Sequence, residues 1–479
     1  MKGEDKKPSL AWALLTLFVP VAVILYGTVF LEVRPSVLPL LAAVAVAGIM
    51  CMPIGYSWEE LQEGMFAALS RVQIAIAILF MVGMLIGTWI ASGTIPAIIY
   101  YGLKLINPKF FLTSALVLCA VTSLATGTSF GTMGTLGVAL LGIGGALGYP
   151  PEMTVGAVVS GAYLGDKMSP ISDSTNIAAS VCEVPLFPHI YSLMWTTLPS
   201  FIVAGIAYAF IGTAHIEGQV FELESLNAIL NGLENGFSLS FWAFIPPVLM
   251  IALAYRRFPV LPIMLLCILV ALAIAWFEGT KVADMAGIIA NGYKSDTGIK
   301  QLDSLLSRGG LMSIMSTVLL LYAGVAFGGM LERARVFEVV LGAMLKGAKS
   351  VFRLVFSVLL ASYIIVFGTG SQILSVVVPG RAFLDTFRKA GVDPRVLSRT
   401  CEDAGTIGCP LVPWSIHALY ITGILGVSAY DYGPYTILCW IVPVFSIFCA
   451  VSGFGIWRTD GTPMRAWRKR QAAAQNASE

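Results

Sequence analysis

The chain has 479 residues, of which 57% are apolar and only 12% are charged, and its mean hydropathy is +0.84. Soluble globular proteins carry about 25% charged residues, so this chain has too few to cover a surface that faces water. Its net charge of +2 gives no indication of a nucleic-acid partner. The composition excludes an ordinary soluble enzyme and predicts an all-α polytopic membrane protein that has the lipid bilayer as its solvent.

The cysteines and histidines argue against a resident cofactor. The eight cysteines form no CxxC pair and mostly lie in apolar runs, so they are expected to be small buried hydrophobes. The three histidines are far apart in the sequence. We therefore predict no cofactor, no disulfide framework and no structural metal.

Apolar runs of about 20 residues can cross a bilayer as helices, and ten such runs stand out. They cover residues 10–31, 37–54, 73–91, 110–127, 190–212, 239–256, 260–278, 311–330, 351–368 and 433–455. Two further segments, 126–180 and 369–420, are apolar but interrupted by glycine, proline, hydroxyl and acidic residues. Non-helical backbone inside a bilayer survives only against protein or water, so both are predicted to be broken or re-entrant helices.

These two interrupted segments align with each other without a gap, at an offset of 243 residues. Most of the matching residues are glycines, prolines and hydroxyl residues that shape the backbone. Thr126, Gly127, Gly137, Gly148, Pro151, Gly165, Pro170 and Ser172 fall on Thr369, Gly370, Gly380, Gly391, Pro394, Gly408, Pro413 and Ser415. The flanking apolar runs obey the same offset, so the chain is predicted to be an internal duplication.

The distribution of charge predicts that the two repeats have opposite topology. Lys and Arg near span ends mark the cytoplasmic side, which places both termini in the cytoplasm. The acidic segment between the halves has no Lys or Arg, which suits the outside. We predict inverted transmembrane repeats at 7–214 and 237–457, an extracytoplasmic linker at 215–236 and a polar cytoplasmic tail at 458–479. Such inverted repeats are typical of secondary transporters.

The first helix break is predicted at TGTSFGTMGT, residues 126–135, where Thr126, Thr128 and Ser129 supply hydroxyl groups. A similar run, FGTGSQ, stands at 367–372 in the second half. Close helix packing through small residues is the alternative explanation of either run. Because the two runs occupy equivalent positions, we favour a polar pocket.

The segment GAYLGDKMSPISDSTN, residues 161–176, places three charged residues in an apolar region. Carboxylate, hydroxyl and amide oxygens are the ligands that a hard cation such as Na⁺ prefers, and a buried carboxylate also binds H⁺. An interfacial loop with solvated charges is the alternative. The predicted ligands are Asp166, Asp173, Ser169, Ser172 and Asn176, with Lys167 as a charge partner.

In the second half, Glu402 and Asp403 are adjacent carboxylates, and Arg399 precedes them by three and four residues. That spacing allows an ion pair on a helix, and ionisable residues inside a membrane are candidates for function. One of the two acids is predicted to be functional, and the spacing does not decide which. A structural pair at the repeat interface is the alternative.

The run 126–150, together with GAVVSGAYLGDKMSPISDSTNIAA and LSRTCEDAGTIGCPLVPWS, resembles the NhaC family of Na⁺/H⁺ antiporters. The resemblance covers most of the chain and is most specific at 161–176. It implies a prokaryotic inner-membrane protein that exchanges Na⁺, or Li⁺, for H⁺, with the acids named above in the site. The same family includes malate/lactate antiporters, so the resemblance indicates the class more firmly than the substrate. A homodimer is left open.

The resulting hypothesis is alternating access, in which Asp166 and Asp173 bind Na⁺ and H⁺ in competition and Glu402 or Asp403 completes the site. Asp173→Asn is then expected to abolish Na⁺-dependent H⁺ movement. One rival is a Na⁺- or H⁺-coupled carrier of a small organic anion or an amino acid, which would use an arginine. A passive cation channel is the second rival. Since neither GxSxG nor a Walker motif is present, neither a hydrolase nor an ATP-driven pump is expected.

Overall fold

The computed structural model describes residues 6–31, 37–217, 223–256, 258–346 and 350–464. Part of the predicted linker, 218–222, and the predicted tail after Met464 lie outside these residues. The first half contains α1 Leu10–Leu25, α2 Val37–Cys51, α3 Trp58–Ser70, α4 Gln73–Ala91, α5 Thr94–Leu105, α6 Phe111–Thr126, α7 Ser129–Thr132, α8 Val138–Ala146, α9 Pro151–Met168, α10 Asp173–Val181 and α11 Leu186–Glu217.

The second half is also built from helices. It contains α12 Leu223–Gly236, α13 Ile245–Tyr255, α14 Val260–Phe277, α15 Val282–Asn291, α16 Lys300–Leu306, α17 Met315–Arg333, α18 Val336–Lys346, α19 Val351–Thr369, α20 Gln372–Lys389, α21 Pro394–Cys401, α22 Ile416–Leu425, α23 Ala429–Tyr432 and α24 Ile437–Ser452. Two π-helical turns, Met133–Gly137 and Glu402–Thr406, continue α7 into α8 and extend α21.

Within the described chain, nine helices are long and apolar enough to cross a bilayer, or up to twelve if three sharply bent helix pairs each form one span. The prediction of an all-α polytopic membrane protein is therefore confirmed. Two of the ten predicted runs, 239–256 and 433–455, fall in the bent pairs. Ser129–Ala146 adds a candidate span inside a segment that was predicted only as interrupted. Its glycines lower its hydropathy, but most of this helix is buried in protein.

The helix boundaries of the two halves repeat at the offset read from the sequence. Helix α6 ends at Thr126 and α19 ends at Thr369, and each is closed by a left-handed glycine, Gly127 with φ +70° and Gly370 with φ +64°. In the same register α9 and α10 correspond to the Pro394–Leu411 helix and α22. The duplicated glycines and prolines therefore mark the same helix ends in both halves.

Contacts between the halves are also repeated. A Cβ on Gly137 would meet Leu425, and a Cβ on Gly380 would meet Cys182, which are equivalent pairs at the same offset. An ion pair between Arg71 and Glu332 joins the start of α4 to the end of α17, its equivalent helix. The start of α4 thus lies beside the end of its equivalent helix α17. This arrangement favours the inverted topology, which stays a prediction.

The packing of α9 on α6 positions segment 161–176 against the first helix break. Gly161 and Gly165 lie one turn apart on the face of α9 that contacts α6. A Cβ on Gly161 would overlap the carbonyl oxygen of Leu116, and one on Gly165 would overlap the backbone nitrogen of Leu124. The two helix backbones thus touch, as small residues allow in membrane proteins.

We expect Gly165→Ala and Gly161→Ala each to destabilise the protein by about 1–3 kcal/mol, since the added methyl group must push α9 away from α6. Thermal unfolding of the purified protein in detergent measures this loss. The control is Gly287→Ala in α15, where a Cβ meets nothing within 4 Å and alanine is the better helix former. Equal unfolding temperatures for the three variants would contradict the close packing.

Candidate functional site

The centre of the candidate site is the carboxylate of Asp166, which lies in the last turn of α9 and is 7% exposed. Ser129 Oγ donates a hydrogen bond of 2.9 Å to its Oδ2, and Ser172 Oγ donates one of 2.8 Å to its Oδ1. Ser174 Oγ lies 3.1 Å from Ser172 Oγ and extends this group of hydroxyls. Among the described residues, no lysine, arginine or histidine forms an ion pair with Asp166. A buried carboxylate is thus surrounded by neutral oxygen ligands.

Local sequence explains why these hydroxyls converge. Gly127 ends α6 in the left-handed conformation, and Thr128 then caps α7 by accepting a hydrogen bond from the Gly131 N–H. This places Ser129 in the first turn of α7, beside α9. On the other side, Pro170 lies in the short break between α9 and α10, and Ser172 is the residue before α10. Each break supplies one hydroxyl ligand.

The second half also contributes to this centre. Gln372, the first residue of α20, is 7% exposed and its side chain lies beside Asp166. Its Nε2 has no hydrogen-bond partner within the described part of the chain. Gln372 is the equivalent of Ser129 at the repeat offset, so both broken helices begin next to the same carboxylate. Asp166 therefore lies where the two halves meet.

A fully buried ion pair lies immediately beside this centre. Lys167 Nζ contacts Asp403 Oδ1 and donates a 2.8 Å hydrogen bond to Thr197 Oγ1. Thr196 Oγ1 donates a 2.9 Å hydrogen bond to the same Asp403 oxygen. Lys167 and Asp403 both have 0% exposure. The pair joins α9 and α11 of the first half to the π-helical turn of the second.

Arg399 completes this charged cluster from one turn earlier. Its Nε lies 3.9 Å from Asp403 Oδ2, at the i,i+4 spacing that the sequence indicated. Its Nη1 donates a hydrogen bond of 2.7 Å to the carbonyl of Gly455 and a longer one of 3.5 Å to that of Ser192. Arg399 is therefore held by backbone carbonyls and by Asp403, and its side chain has no exposure.

Glu402 differs from its neighbour Asp403. It has no exposure, and both of its carboxyl oxygens lack a hydrogen-bond partner among the described residues. It is close enough to Asp166, Lys167 and Asp403 for their charges to interact. Burying an ionised carboxylate without a partner is very costly, so Glu402 is a group that a proton or a cation could neutralise.

The structure does not bring every predicted ligand into the centre. Asp173 and Asn176 are exposed on α10, and the Asn176 amide donates to the carbonyls of Pro170 and Ser172. Ser169 is buried but its hydroxyl donates to the Leu124 carbonyl, 2.8 Å away, which ties the break to α6. Thr126 likewise donates to a carbonyl of its own helix. These residues shape the breaks around Asp166.

Sequence reasoning did not identify the partners that reach the site from distant segments. Thr196 and Thr197 lie in an apolar helix where no local motif marks them. Gln372 is the last residue of the predicted break FGTGSQ. His417 also lies here: its Nδ1 is 2.5 Å from the Tyr163 hydroxyl, and its ring is 4.6 Å from that of Phe130. The offset of 243 residues between Ser129 and Gln372 is a sequence signal for Gln372, and the position of His417 two residues after Ser415 places it beside the second break.

Comparison with known proteins identifies the family of the chain. The chain matches the Na⁺/H⁺ antiporter family over residues 10–175 and 161–454. It belongs to that family. It is 36% identical over 454 residues to the Na⁺/H⁺ antiporter NhaC of Alkalihalophilus pseudofirmus, covering 94% of this chain and 97% of the relative. The expected membership in the NhaC family is thereby confirmed, and the chain is an antiporter-family membrane protein.

Other members of the family carry names that include organic solutes. The chain is 34% identical over 465 residues to the malate-2H⁺/Na⁺-lactate antiporter of Bacillus subtilis, covering 97% of this chain and 99% of that protein. It is 32% identical over 459 residues to the arginine/ornithine antiporter ArcD of Halobacterium salinarum, covering 95% and 94%. Membership in the family therefore does not by itself fix which two solutes or ions are exchanged.

We expect removal of either member of the buried ion pair to destabilise the protein by about 3–5 kcal/mol, because the other charge is left without its partner. Asp403→Asn should cost more than Lys167→Met, since it strands both Lys167 and Arg399. The double variant should be more stable than the sum of the single losses predicts. Thermal unfolding in detergent measures all three.

The control for these variants is Arg388→Gln, which removes a cation from an exposed ion pair with Glu183. Exposed pairs contribute about 0–1 kcal/mol, so this change should hardly alter the unfolding temperature. If Lys167→Met is as mild as Arg388→Gln, the buried pair does not hold the two halves together.

Proposed function

We propose that the protein exchanges Na⁺, or Li⁺, for H⁺ by alternating access, with Asp166 as the residue that binds either ion. One observation carries this proposal: Asp166 is buried, ligated by the hydroxyls of Ser129 and Ser172, and has no cationic partner in the described chain. Hydroxyl and carboxylate oxygens can replace the hydration shell of a hard alkali cation. A proton can neutralise the same carboxylate instead.

Competition at one carboxylate explains why the two ions would be exchanged rather than carried together. An ionised, empty Asp166 is costly to bury, so movement of the site across the membrane is favoured only when Na⁺ or H⁺ occupies it. Either ion neutralises the single negative charge, and the two cannot bind at once. Coupling thus follows from electrostatics, without any further catalytic group.

Of the two adjacent acids in the second half, Glu402 is the better candidate for a proton-binding role. Asp403 is neutralised by Lys167 and approached by Arg399, so its role is to hold the halves together. Glu402 has no hydrogen-bond partner in the described chain and lies within electrostatic reach of Asp166. A proton on Glu402 would be released more readily when Na⁺ approaches the centre.

Two relatives are named as antiporters of malate and lactate and of arginine and ornithine. An organic solute is therefore the alternative cargo for this chain. A carrier of carboxylates would need a free arginine in its site. The charge of Arg399 is matched by Asp403 and its Nη1 donates to the Gly455 and Ser192 carbonyls, while Nε and Nη2 make no hydrogen bond among the described residues. Arg381 is exposed on α20. The arrangement therefore favours an inorganic cation as the substrate of this chain.

The proposed location is the prokaryotic inner membrane, with multiple spans and both termini in the cytoplasm. In support, Lys6, Arg71, Arg333 and Arg335 line one cleft on one face of the molecule. Basic residues concentrate on the cytoplasmic side of membrane proteins. This cleft would then face the cytoplasm.

We expect Asp166→Asn to abolish Na⁺-dependent dissipation of an inside-acid pH gradient in proteoliposomes, because an amide binds neither Na⁺ nor H⁺ as a carboxylate does. Ser129→Ala and Ser172→Ala should raise the KM for Na⁺ several-fold by removing one ligand each. A pH-sensitive dye reports the exchange when NaCl, LiCl, KCl or choline chloride is added.

Two acids serve as comparisons for Asp166→Asn. Asp284→Asn, on the exposed face of α15, should retain full exchange. Asp173→Asn tests the sequence hypothesis, and because Asp173 is exposed we expect a smaller effect than at Asp166. Exchange that survives in Asp166→Asn, or that requires malate, lactate or arginine in the wild type, would move the protein to another mechanism or to the solute-coupled branch of the family.

We expect Glu402→Gln to keep or increase stability, since a neutral side chain of the same shape replaces a buried acid. If Glu402 carries a proton, the pH dependence of Na⁺ exchange should become shallower in this variant. The measurement is the exchange rate against pH, alongside thermal unfolding. A wild-type pH profile in Glu402→Gln would exclude Glu402 from proton transfer and leave Asp166 as the one titrating group proposed.

A further inference from the structure

Two cavities meet at the ion pair between Arg71 and Glu332. The outer one is a surface cleft of about 470 Å³, and the inner one is a cavity of about 130 Å³ behind it. Both are lined by Arg71, Gly329 and Glu332. Together they form one crevice between the packed pair α3 and α17 and the broken helices of the second half, which we call the entrance crevice.

The inner end of the entrance crevice reaches the helix break of the second half. Thr369, Ser371 and Ile416 line it, at the end of α19 and the starts of α20 and α22. The next residue after Ser371 is Gln372, whose buried side chain lies beside Asp166. The crevice therefore leads from the surface to the helix break whose next residue, Gln372, lies beside Asp166.

Charge is concentrated along this route. The outer cleft is lined by Lys6, Arg333 and Arg335 in addition to Arg71, against the carboxylates of Glu60 and Glu332. Lys6 is bonded to Glu60 at 2.8 Å. Glu332 accepts two hydrogen bonds from Arg71, with the two side chains 40% and 46% exposed. Glu332 is thus the acid that faces both cavities, and Arg71 masks its charge.

The equivalent positions in the other half are apolar. At the repeat offset Trp89 is the equivalent of Glu332, and Ile314 is the equivalent of Arg71. Each of these two apolar residues is only 1% exposed. The cavity at the first helix break has a volume of only about 30 Å³, and Met250 of α13 and Ile263 of α14 are among the residues that line it. The space that reaches a helix break is therefore larger on the Arg71–Glu332 side.

We propose that the entrance crevice is the access path for the transported cation from this face, and that Glu332 and Arg71 determine the apparent affinity for that cation. This inference rests on the proposed exchange function. The carboxylate of Glu332 raises the local concentration of cations at the mouth of the inner cavity, and the paired guanidinium limits that attraction. Neither group binds the ion at Asp166, so they act on access and not on the exchange step.

The charge test uses single and double variants. Arg71→Gln should lower the KM for Na⁺ by about two- to fivefold and Glu332→Gln should raise it by a similar factor, with kcat unchanged. The double variant should return close to the wild-type KM. Because salt screens charges that face solvent, these shifts should vanish when ionic strength is raised with choline chloride.

The matched control is Arg388→Gln, which removes an arginine of 44% exposure from an ion pair outside the crevice. Its KM should stay at the wild-type value. A KM shift in Arg388→Gln as large as that in Arg71→Gln would overturn the role of the Arg71–Glu332 pair. Unchanged KM values in both Arg71→Gln and Glu332→Gln would overturn it as well.

A labelling test checks the path whichever ion is carried. Ser371→Cys and Ile373→Cys, both in the inner cavity, should react with a membrane-impermeant thiol reagent from the cytoplasmic face of inverted vesicles. Thr128→Cys, the equivalent of Ser371 at the first break, lies in the smaller cavity and should react more slowly from that face. The native cysteines are buried, and wild-type protein gives the background.

The outcomes separate the two proposals. Labelling of Ser371→Cys and Ile373→Cys from the cytoplasmic face, in a protein that fails to exchange Na⁺, would keep the access path and reject the proposed cargo. Resistance of both cysteines, or equal labelling from both faces, would reject the access path even if Asp166→Asn abolishes exchange.

Discussion

The buried ion pair between Lys167 and Asp403 is the interaction on which the arrangement of the site depends. Inside protein at membrane depth neither charge can be hydrated, so each must find its partner with good geometry or destabilise the fold. The pair connects α9 to the π-helical turn after α21, and Thr196 and Thr197 of α11 bond to it. The two halves are thereby held in one register, with Asp166 one residue away.

The acids around that pair differ in whether a neighbouring cation matches their charge. Asp403 is matched, while Asp166 has neutral hydroxyl ligands and Glu402 has no hydrogen-bond partner in the described chain. Unmatched buried acids are the groups that a mobile cation or a proton can neutralise. A buried ion pair thus lies beside two buried acids that no cation in the described chain matches.

The duplicated architecture gives two similar helix breaks but not two similar surroundings. The breaks at Gly127 and Gly370 share their backbone geometry. The residues outside them differ: the partly exposed ion pair of Arg71 and Glu332 lines the cavity at one break, and the equivalent residues at the repeat offset are the buried Trp89 and Ile314. One pair of equivalent positions is therefore charged and the other apolar, and the proposed access path uses this difference.

The sequence by itself determined the all-α membrane class, the offset at which the helix ends repeat and the positions of both pairs of helix breaks, and it placed Asp166 among the predicted ligands. These follow from local physics, since apolar length sets a span, and glycine and proline interrupt helices wherever they stand. It could not choose between Glu402 and Asp403, which are neighbours of the same charge. Only the tertiary structure distinguishes their surroundings, because Lys167 and Thr196 reach Asp403 from more than 200 residues away. The exposure of Asp173 and Asn176, and the approach of Gln372 to Asp166, were likewise set by how the two halves pack, which no local pattern records.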